Sequence, residues 1–387
     1  MVDWNHFHFI FLMAVAGQEV ELQVTAKDEV SNEAPSSTNT NQIPATKHYR
    51  WWLRVAVYII FLLAGQATAT LLGGLYYDKG GNSKWMATFV QSAGFPILIP
   101  ILFFIPPSTK SATSPPPVAT IVLVYLFFGL LLTGDNLMYS YGLLYLPVST
   151  YALLCATQLA FNALFSFLFN SQKFTALIIN SLILLTVSAS LVAVNSDSDN
   201  SSNIPKGKYI IGFFCTLGAS AGYSLYLSLL QVSFEKVLKS ENFRVVLEMQ
   251  IYPSLVAAAG SVVGLFASGE WDGLKMEMDG YEKRSVSYIM TLLWTAIAWQ
   301  ICSVGILGLI FEVSSLFTNV ISTLGLPVVP VLAVIFFGDK MDGVKAIALV
   351  VAVWGSVSYV YQHYLDDSKL KAKTGLLVRA NDGCDNA

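Results

Sequence analysis

The sequence predicts an all-α integral membrane protein with ten transmembrane helices, and three observations support this prediction. Of the 387 residues, 55% are apolar and only 12% are charged, whereas about 25% of the residues of soluble domains are charged. Ten stretches without Lys, Arg, Asp or Glu are about 20 residues or longer, enough for a helix to cross roughly 30 Å of hydrocarbon. The charges lie instead in the termini and in short loops. Because lipid offers the backbone no hydrogen-bond partners, each span must be helical.

The predicted spans begin near residues 52, 85, 120, 149, 176, 207, 247, 287, 314 and 343. The third and fourth spans share an apolar stretch from 120 to 169, in which Asp135 is the only charge. Pro147 predicts the turn that separates them, because proline disrupts a continuing helix. Pro96 and Pro100 predict a bend or a break within the second span.

The polar segment 196–206 divides the chain into two five-helix repeats, 51–195 and 207–364. Residues 1–50 and 365–387 are predicted to be disordered cytoplasmic tails. An even number of spans places both termini on one side, and Lys and Arg near the spans are more numerous there, which favours the cytoplasm. A glycosylation sequon at Asn200 would then face outward. The sequence leaves open whether Met1 or Met13 is the working start.

The residue inventory argues against an enzyme, a metalloprotein or a nucleic-acid-binding protein. Four scattered histidines and a single deep acid supply neither a nucleophile with its base nor a metal-ligand set. The four cysteines are not spaced as a disulfide framework or a metal site, and no basic patch offers a surface to nucleic acid. No cofactor is therefore expected. A channel is disfavoured because no span carries repeated polar residues to line a pore, while a receptor is harder to exclude.

Four polar or aromatic side chains are predicted near the middle of the bilayer. Gln158 lies roughly 14 Å into the fourth span, with Asn162 one turn later, and Trp299 and Gln300 lie roughly 18–20 Å into the eighth. An indole offers a stacking face and primary amides both donate and accept hydrogen bonds, a combination that suits a flat heteroaromatic base. The alternative is that the amides bond neighbouring helices and the indole packs.

Asp135 is the first candidate for a proton-coupling group, because it is the only acid well inside a span. Its alternative is a fixed hydrogen bond or ion pair after Gly134. Glu312 is a second candidate, with capping of the ninth helix as its alternative. Three further residues are secondary candidates for the substrate site: Gln66, Asn136 and Tyr139. Tyr223 and Tyr226, in a glycine-rich sixth span, can be explained by packing alone.

Several motifs are shared with one known family. They are LYYDKGG at 75–81, GDNLMY at 134–139, LYLPVSTY at 144–151 continuing to QLAFNA at 158–163, WQ at 299–300, FEVSSLF at 311–317, ISTLGLP at 321–327 and WGSVSYVYQ at 354–362. In these motifs the chain resembles the plant purine permeases of the drug/metabolite transporter superfamily, over residues 50–368. The resemblance implies two inverted five-helix repeats and proton-coupled uptake of adenine-like nucleobases, cytokinins or alkaloids.

These observations together predict a secondary transporter that works by alternating access. Its partners would be a small heterocyclic substrate, protons and the lipid bilayer, and its location the plasma membrane, with an internal membrane as the alternative. The alternative function is a carrier or exchanger of another small metabolite without proton coupling, followed by a membrane-embedded enzyme or a receptor. The preferred substrate, the coupling stoichiometry and the oligomeric state stay open.

Overall fold

The chain forms a bundle of helices. A computed structural model describes residues 45–105, 117–170, 175–194, 205–233, 243–282, 284–312, 328–339 and 341–359, together with positions 318, 321–322, 325 and 361–362. These residues contain no β-strand. Most of the two predicted tails, the sequon at Asn200 and nearly all of the polar segment 196–206 lie outside the described residues.

The helices are numbered here in chain order. They are α1 Ala45–Asp78, α2 Lys84–Ser92, α3 Ile99–Phe104, α4 Val118–Tyr145, α5 Val148–Cys155, α6 Gln158–Asn170, α7 Ala176–Val194, α8 Lys206–Ser233, α9 Phe243–Ala267, α10 Leu274–Gly280, α11 Arg284–Glu312, α12 Val328–Phe337 and α13 Gly343–Tyr359. Helix α1 begins six residues before the predicted start of the first repeat, directly after Pro44.

Seven helical segments are long and apolar enough to cross a membrane, and three shorter apolar helices accompany them in the described residues. Two of the seven are interrupted, because they combine α2 with α3 and α5 with α6. An all-α chain with several membrane-length helices is what the sequence predicts, and this part of the prediction is confirmed. The count of ten crossing helices and their arrangement as two inverted repeats stay predictions.

The two interruptions have different chemical causes. Between α2 and α3 the backbone forms a 3₁₀ turn at Phe95–Leu98. Pro96 is the second residue of this turn, and Pro100 is the second residue of α3. Between α5 and α6 no proline is present, and the turn falls at Ala156 and Thr157. There the buried Thr157 hydroxyl donates to the Leu154 carbonyl at 2.7 Å, which satisfies an acceptor near the break.

Helices α1 and α11 pack against each other backbone to backbone. A Cβ atom added at Gly65 would lie 2.6 Å from the backbone nitrogen of Cys302, and one added at Gly305 would lie 2.5 Å from that of Leu62. Glycine is required at both positions because any side chain would collide with backbone atoms that cannot move aside. These contacts form a seam, defined by Gly65 and Gly305, between the first and eighth predicted spans.

A polar cluster joins the start of α2 to the segment between α9 and α11. Glu270 forms an ion pair with Lys84 (2.6 Å) and accepts hydrogen bonds from Ser83 Oγ (2.8 Å) and the Trp85 backbone nitrogen (3.2 Å). Glu277 accepts the backbone N–H of Ser83 at 3.0 Å. We call Ser83, Lys84, Glu270 and Glu277 the clasp. It lies on the face of the bundle that the sequence predicts to be extracellular.

Candidate functional site

A cavity of about 160 Å³ lies inside the bundle, among residues of α1, α2, α4, α5, α6, α8, α9 and α11, with Ser322 and Val329 from the region of the ninth predicted span. Most of the sequence-predicted site residues line it: Gln66, Asp135, Asn136, Tyr139, Gln158 and Trp299. The bundle thus brings together residues that are as far apart in sequence as Gln66 and Trp299.

Asp135 presents a carboxylate without partners. Its exposed fraction is 2%, and neither carboxylate oxygen has a hydrogen-bond partner among the described residues. The carboxylate lies against Gly222 of α8, where an added Cβ atom would stand 2.7 Å from Asp135 Oδ1. Its alternative interpretation, a fixed hydrogen bond or ion pair, is not what this geometry shows.

Gln158 and Trp299 also bring uncommitted polar atoms to the cavity. Gln158 is the first residue of α6, immediately after the break, and its side-chain amide has no hydrogen bond within the described part of the chain. Only its backbone oxygen is engaged, by Ser224 Oγ at 2.8 Å. The half-buried indole of Trp299 on α11 likewise has no hydrogen-bond partner there.

Three other side-chain amides on the cavity wall, those of Gln66, Asn136 and Gln250, form hydrogen bonds with hydroxyl groups of neighbouring segments. The pairs are Gln66 Oε1 with Ser322 Oγ at 3.3 Å, Asn136 Nδ2 with Ser92 Oγ at 3.0 Å, and Gln250 Nε2 with Ser303 Oγ at 3.1 Å. For these residues the geometry matches the helix-bonding role that amides often have in membrane bundles. One end of each amide nevertheless stays available to the cavity.

Three predicted site residues do not lie on the cavity wall. Asn162 is buried, and its Nδ2 donates to Tyr359 Oη at 3.5 Å. Gln300 packs against Gly94, with its Nε2 unpartnered. Because consecutive residues point about 100° apart around a helix, Gln300 and Trp299 cannot both face one cavity squarely. Glu312 pairs with Arg54 through both of its carboxylate oxygens, at 2.9 and 3.2 Å.

Several cavity residues escaped the sequence analysis. The polar ones include Gln91, Ser92, Gln250, Ser254 and Ser303. The criterion that selected Gln158, an amide inside an apolar run, also fits Gln91 and Gln250 and would have found them. Tyr223 and Tyr226 line the cavity as well and stack on each other, with ring centroids 6.0 Å apart.

Comparisons with known proteins identify the family. A family profile described as purine nucleobase transmembrane transport matches residues 53–369. Among relatives from Arabidopsis thaliana, "Probable purine permease 11" is 59% identical over 84% of this chain and 86% of its own length. "Probable purine permease 10" is 54% identical over 93% and 92%, and "Purine permease 21" is 54% identical over 90% and 89%. The chain belongs to the purine permease family.

As a purine permease, the chain is a multi-pass integral membrane protein of a transporter family and not an enzyme, which confirms both predictions. One solved structure, named "Crystal structure of protein", is similar to this permease with a TM-score of 0.50. The two chains are 16% identical, and the match covers 80% of the permease and 98% of the other chain. At this identity the likeness concerns the fold alone.

Proposed function

We propose that this protein imports adenine-like purine bases together with protons, by alternating access between two inverted halves of a ten-helix fold. One observation supports the binding site above others. The buried Asp135 carboxylate has no hydrogen-bond partner, and it shares one cavity with the Gln158 amide and the Trp299 indole, which form no side-chain hydrogen bond among the described residues. A buried polar group is usually satisfied, so an unpartnered carboxylate beside two further hydrogen-bonding groups favours a ligand that completes them.

Gln158 and Trp299 provide the binding chemistry for a flat base. The Gln158 amide both donates and accepts, so it can pair with a ring nitrogen beside an amine, as on the edge of adenine. The Trp299 ring offers a stacking face, which typically contributes about 0.5–1.5 kcal/mol beyond area burial. Discontinuous helices form substrate sites in several transporter folds, and Gln158 begins such a half-helix.

Asp135 provides the coupling chemistry. A buried carboxylate without partners is costly as an anion, whereas its protonated form is neutral and donates a hydrogen bond. We infer that Asp135 takes up a proton from the outer side and that the base then binds beside it in the same cavity. Release of both toward the cytoplasm completes the cycle. We assign no coupling role to Glu312, because it is paired with Arg54 and does not line the cavity.

Substrate class and location follow the family resemblance and the names of the relatives. Adenine is the proposed reference substrate, because the family profile is described by purine nucleobase transport and the relatives are named purine permeases. Cytokinins and flat alkaloids extend the same ring chemistry, and the stacking face and amides accommodate them. We place the protein in the plasma membrane, where an acidic outside would drive uptake.

The direct test is uptake of labelled adenine by cells that lack their own nucleobase carriers. We expect uptake to be faster at acidic than at neutral outside pH and to collapse when a protonophore is added. An uptake rate that changes neither with outside pH nor with the protonophore would instead favour a carrier without proton coupling.

An Asp135→Asn variant separates binding from coupling in the same cells. Asn keeps the size of the side chain but carries no titratable proton, so net uptake should be lost. Exchange of outside for inside adenine should survive, because it needs no net proton movement. Unchanged net uptake at equal protein abundance would show that Asp135 has only a structural role.

A further inference from the structure

Gln91 lies near the end of α2, half-buried on the cavity wall. Its amide nitrogen faces α4: Nε2 is 3.0 Å from Ser140 Oγ and 3.2 Å from the backbone oxygen of Asn136. A longer contact of 3.4 Å joins the same nitrogen to the backbone oxygen of Ala87. The two nearer acceptors, on Ser140 and Asn136, therefore account for both hydrogens of this nitrogen.

These contacts determine which end of the amide is left for the cavity. A backbone carbonyl only accepts hydrogen bonds, so the Gln91 atom beside the Asn136 carbonyl must be the NH₂ nitrogen. The carbonyl oxygen Oε1 is consequently turned away from these acceptors. Within the described part of the chain, no hydrogen-bond donor reaches Oε1.

The group that holds Gln91 is itself fixed. Ser140 is fully buried, and its hydroxyl donates to the Asn136 carbonyl at 2.9 Å. Its oxygen also lies 3.1 Å from Thr88 Oγ1, one turn before Gln91 on α2. Rotation of the Gln91 amide would break its hydrogen bonds to both Ser140 and Asn136. The oxygen therefore presents a fixed acceptor, in contrast to the free amide of Gln158.

We propose that Gln91 is a specificity-determining residue that selects bases carrying an N–H donor, such as the exocyclic amine of adenine. This inference rests on the proposed function. A base with an amine gives Oε1 its missing hydrogen bond, while a base with a C–H at that point leaves the oxygen unpaired. Sites built to bond an N–H discriminate against analogues that lack it, because a buried polar group then stays unsatisfied.

The test compares uptake of labelled adenine with uptake of labelled unsubstituted purine, which has a C–H where adenine has its amine. In the wild type we expect adenine to be favoured by about tenfold, the effect of one hydrogen bond in a buried site. Gln91→Met keeps the length of the side chain and removes the acceptor. We expect it to lower this ratio several-fold, mainly by slowing adenine uptake, at equal protein abundance, because the Gln91 acceptor for the amine is gone while Gln158 is unchanged.

Asn180→Leu is the matched control. Asn180 is also an amide that donates to a hydroxyl group of another helix, Ser358 Oγ at 3.3 Å, but it does not line the cavity, so we expect the ratio to stay at its wild-type value. If Gln91→Met slows both bases by the same factor, or if the wild type does not prefer adenine, the inference is overturned while the proposed function stands. If the wild type takes up neither base, the proposed function and this inference fail together.

Discussion

At the scale of single residues, the contact between Asp135 and Gly222 leaves no room for a larger residue in α8. Gly222→Ala would place a methyl group 2.7 Å from Asp135 Oδ1 and displace the carboxylate. Crowding of this kind typically costs about 1–3 kcal/mol. We expect a lower midpoint of thermal unfolding in detergent and a weaker dependence of adenine uptake on outside pH.

Gly218→Ala provides the comparison on the same helix. A Cβ atom there would lie 3.4 Å from Met138 Sδ, an ordinary contact with a flexible side chain. Both substitutions raise helix propensity by about 1 kcal/mol, so any difference between them reports the crowding at Asp135. Equal effects of the two variants on stability and on pH dependence would contradict this explanation.

The sequence identifies some of these residues and misses others for a physical reason. Asp135 stands out because a single acid in an apolar run is costly and so demands a role. Depth along a helix follows from counting residues, but the direction of a side chain depends on which neighbours pack against that helix. Gln158 and Asn162 therefore look alike in sequence, although only Gln158 lines the cavity.

At the scale of elements, the clasp has a pH dependence that can be measured. Burial alone would raise the pKa of the Glu270 carboxyl, but hydrogen bonds from Lys84, Ser83 and the Trp85 backbone outweigh it and hold this pKa below its usual value. The resulting stabilisation is present above the unfolded pKa of about 4.3 and is lost as pH falls through the lower folded value. The Glu270 carboxylate thus stays ionised in a mildly acidic medium.

We expect Glu270→Gln to lower the midpoint of thermal unfolding at pH 6–7 and to differ much less from the wild type below about pH 4. Glu282→Gln is the control, because Glu282 pairs with Lys79 at an exposed site where ion pairs contribute little. A constant difference between Glu270→Gln and the wild type over this pH range would rule out a titrating clasp.

Of the two interruptions inside membrane-length segments, the sequence predicts the one that contains proline and misses the one that does not. Pro96 and Pro100 indicate the interruption between α2 and α3. The break before Gln158 has no such signal, because Thr157 stabilises it with a side-chain hydrogen bond that also occurs within intact helices. Helix α10 and the clasp were not predicted either, because their contacts join segments nearly 200 residues apart.

At the scale of the whole molecule, the number of crossings can be tested directly. Ten crossings place epitope tags at both ends of the chain on one side of the membrane, whereas an odd number would separate them. We expect both tags to be protected from protease in intact cells. A cysteine introduced at Asn82, beside the clasp, should react with a membrane-impermeant maleimide from outside. Tags on opposite sides would contradict the ten-helix fold.

Hydropathy predicted the class of the fold because the cost of exposing backbone groups to lipid acts on every span alike. It does not fix the three shorter apolar segments as crossings, since Ala176–Leu191, Val328–Phe337 and Gly343–Tyr359 are, within the described residues, shorter than the roughly 20 residues of a typical span. Their depth depends on how neighbouring helices and the bilayer accommodate them.

The seam at Gly65 and Gly305 restricts how the bundle can move. Side chains can rotate to let two helices slide, but backbone atoms in direct contact offer no such freedom. We therefore expect α1 and α11, which come from the two predicted repeats, to pivot about this seam and not to slide along it. In the proposed alternating-access cycle, we expect the cavity to open along its other walls, where hydroxyl–amide contacts such as Asn136 with Ser92 can exchange partners without steric collision.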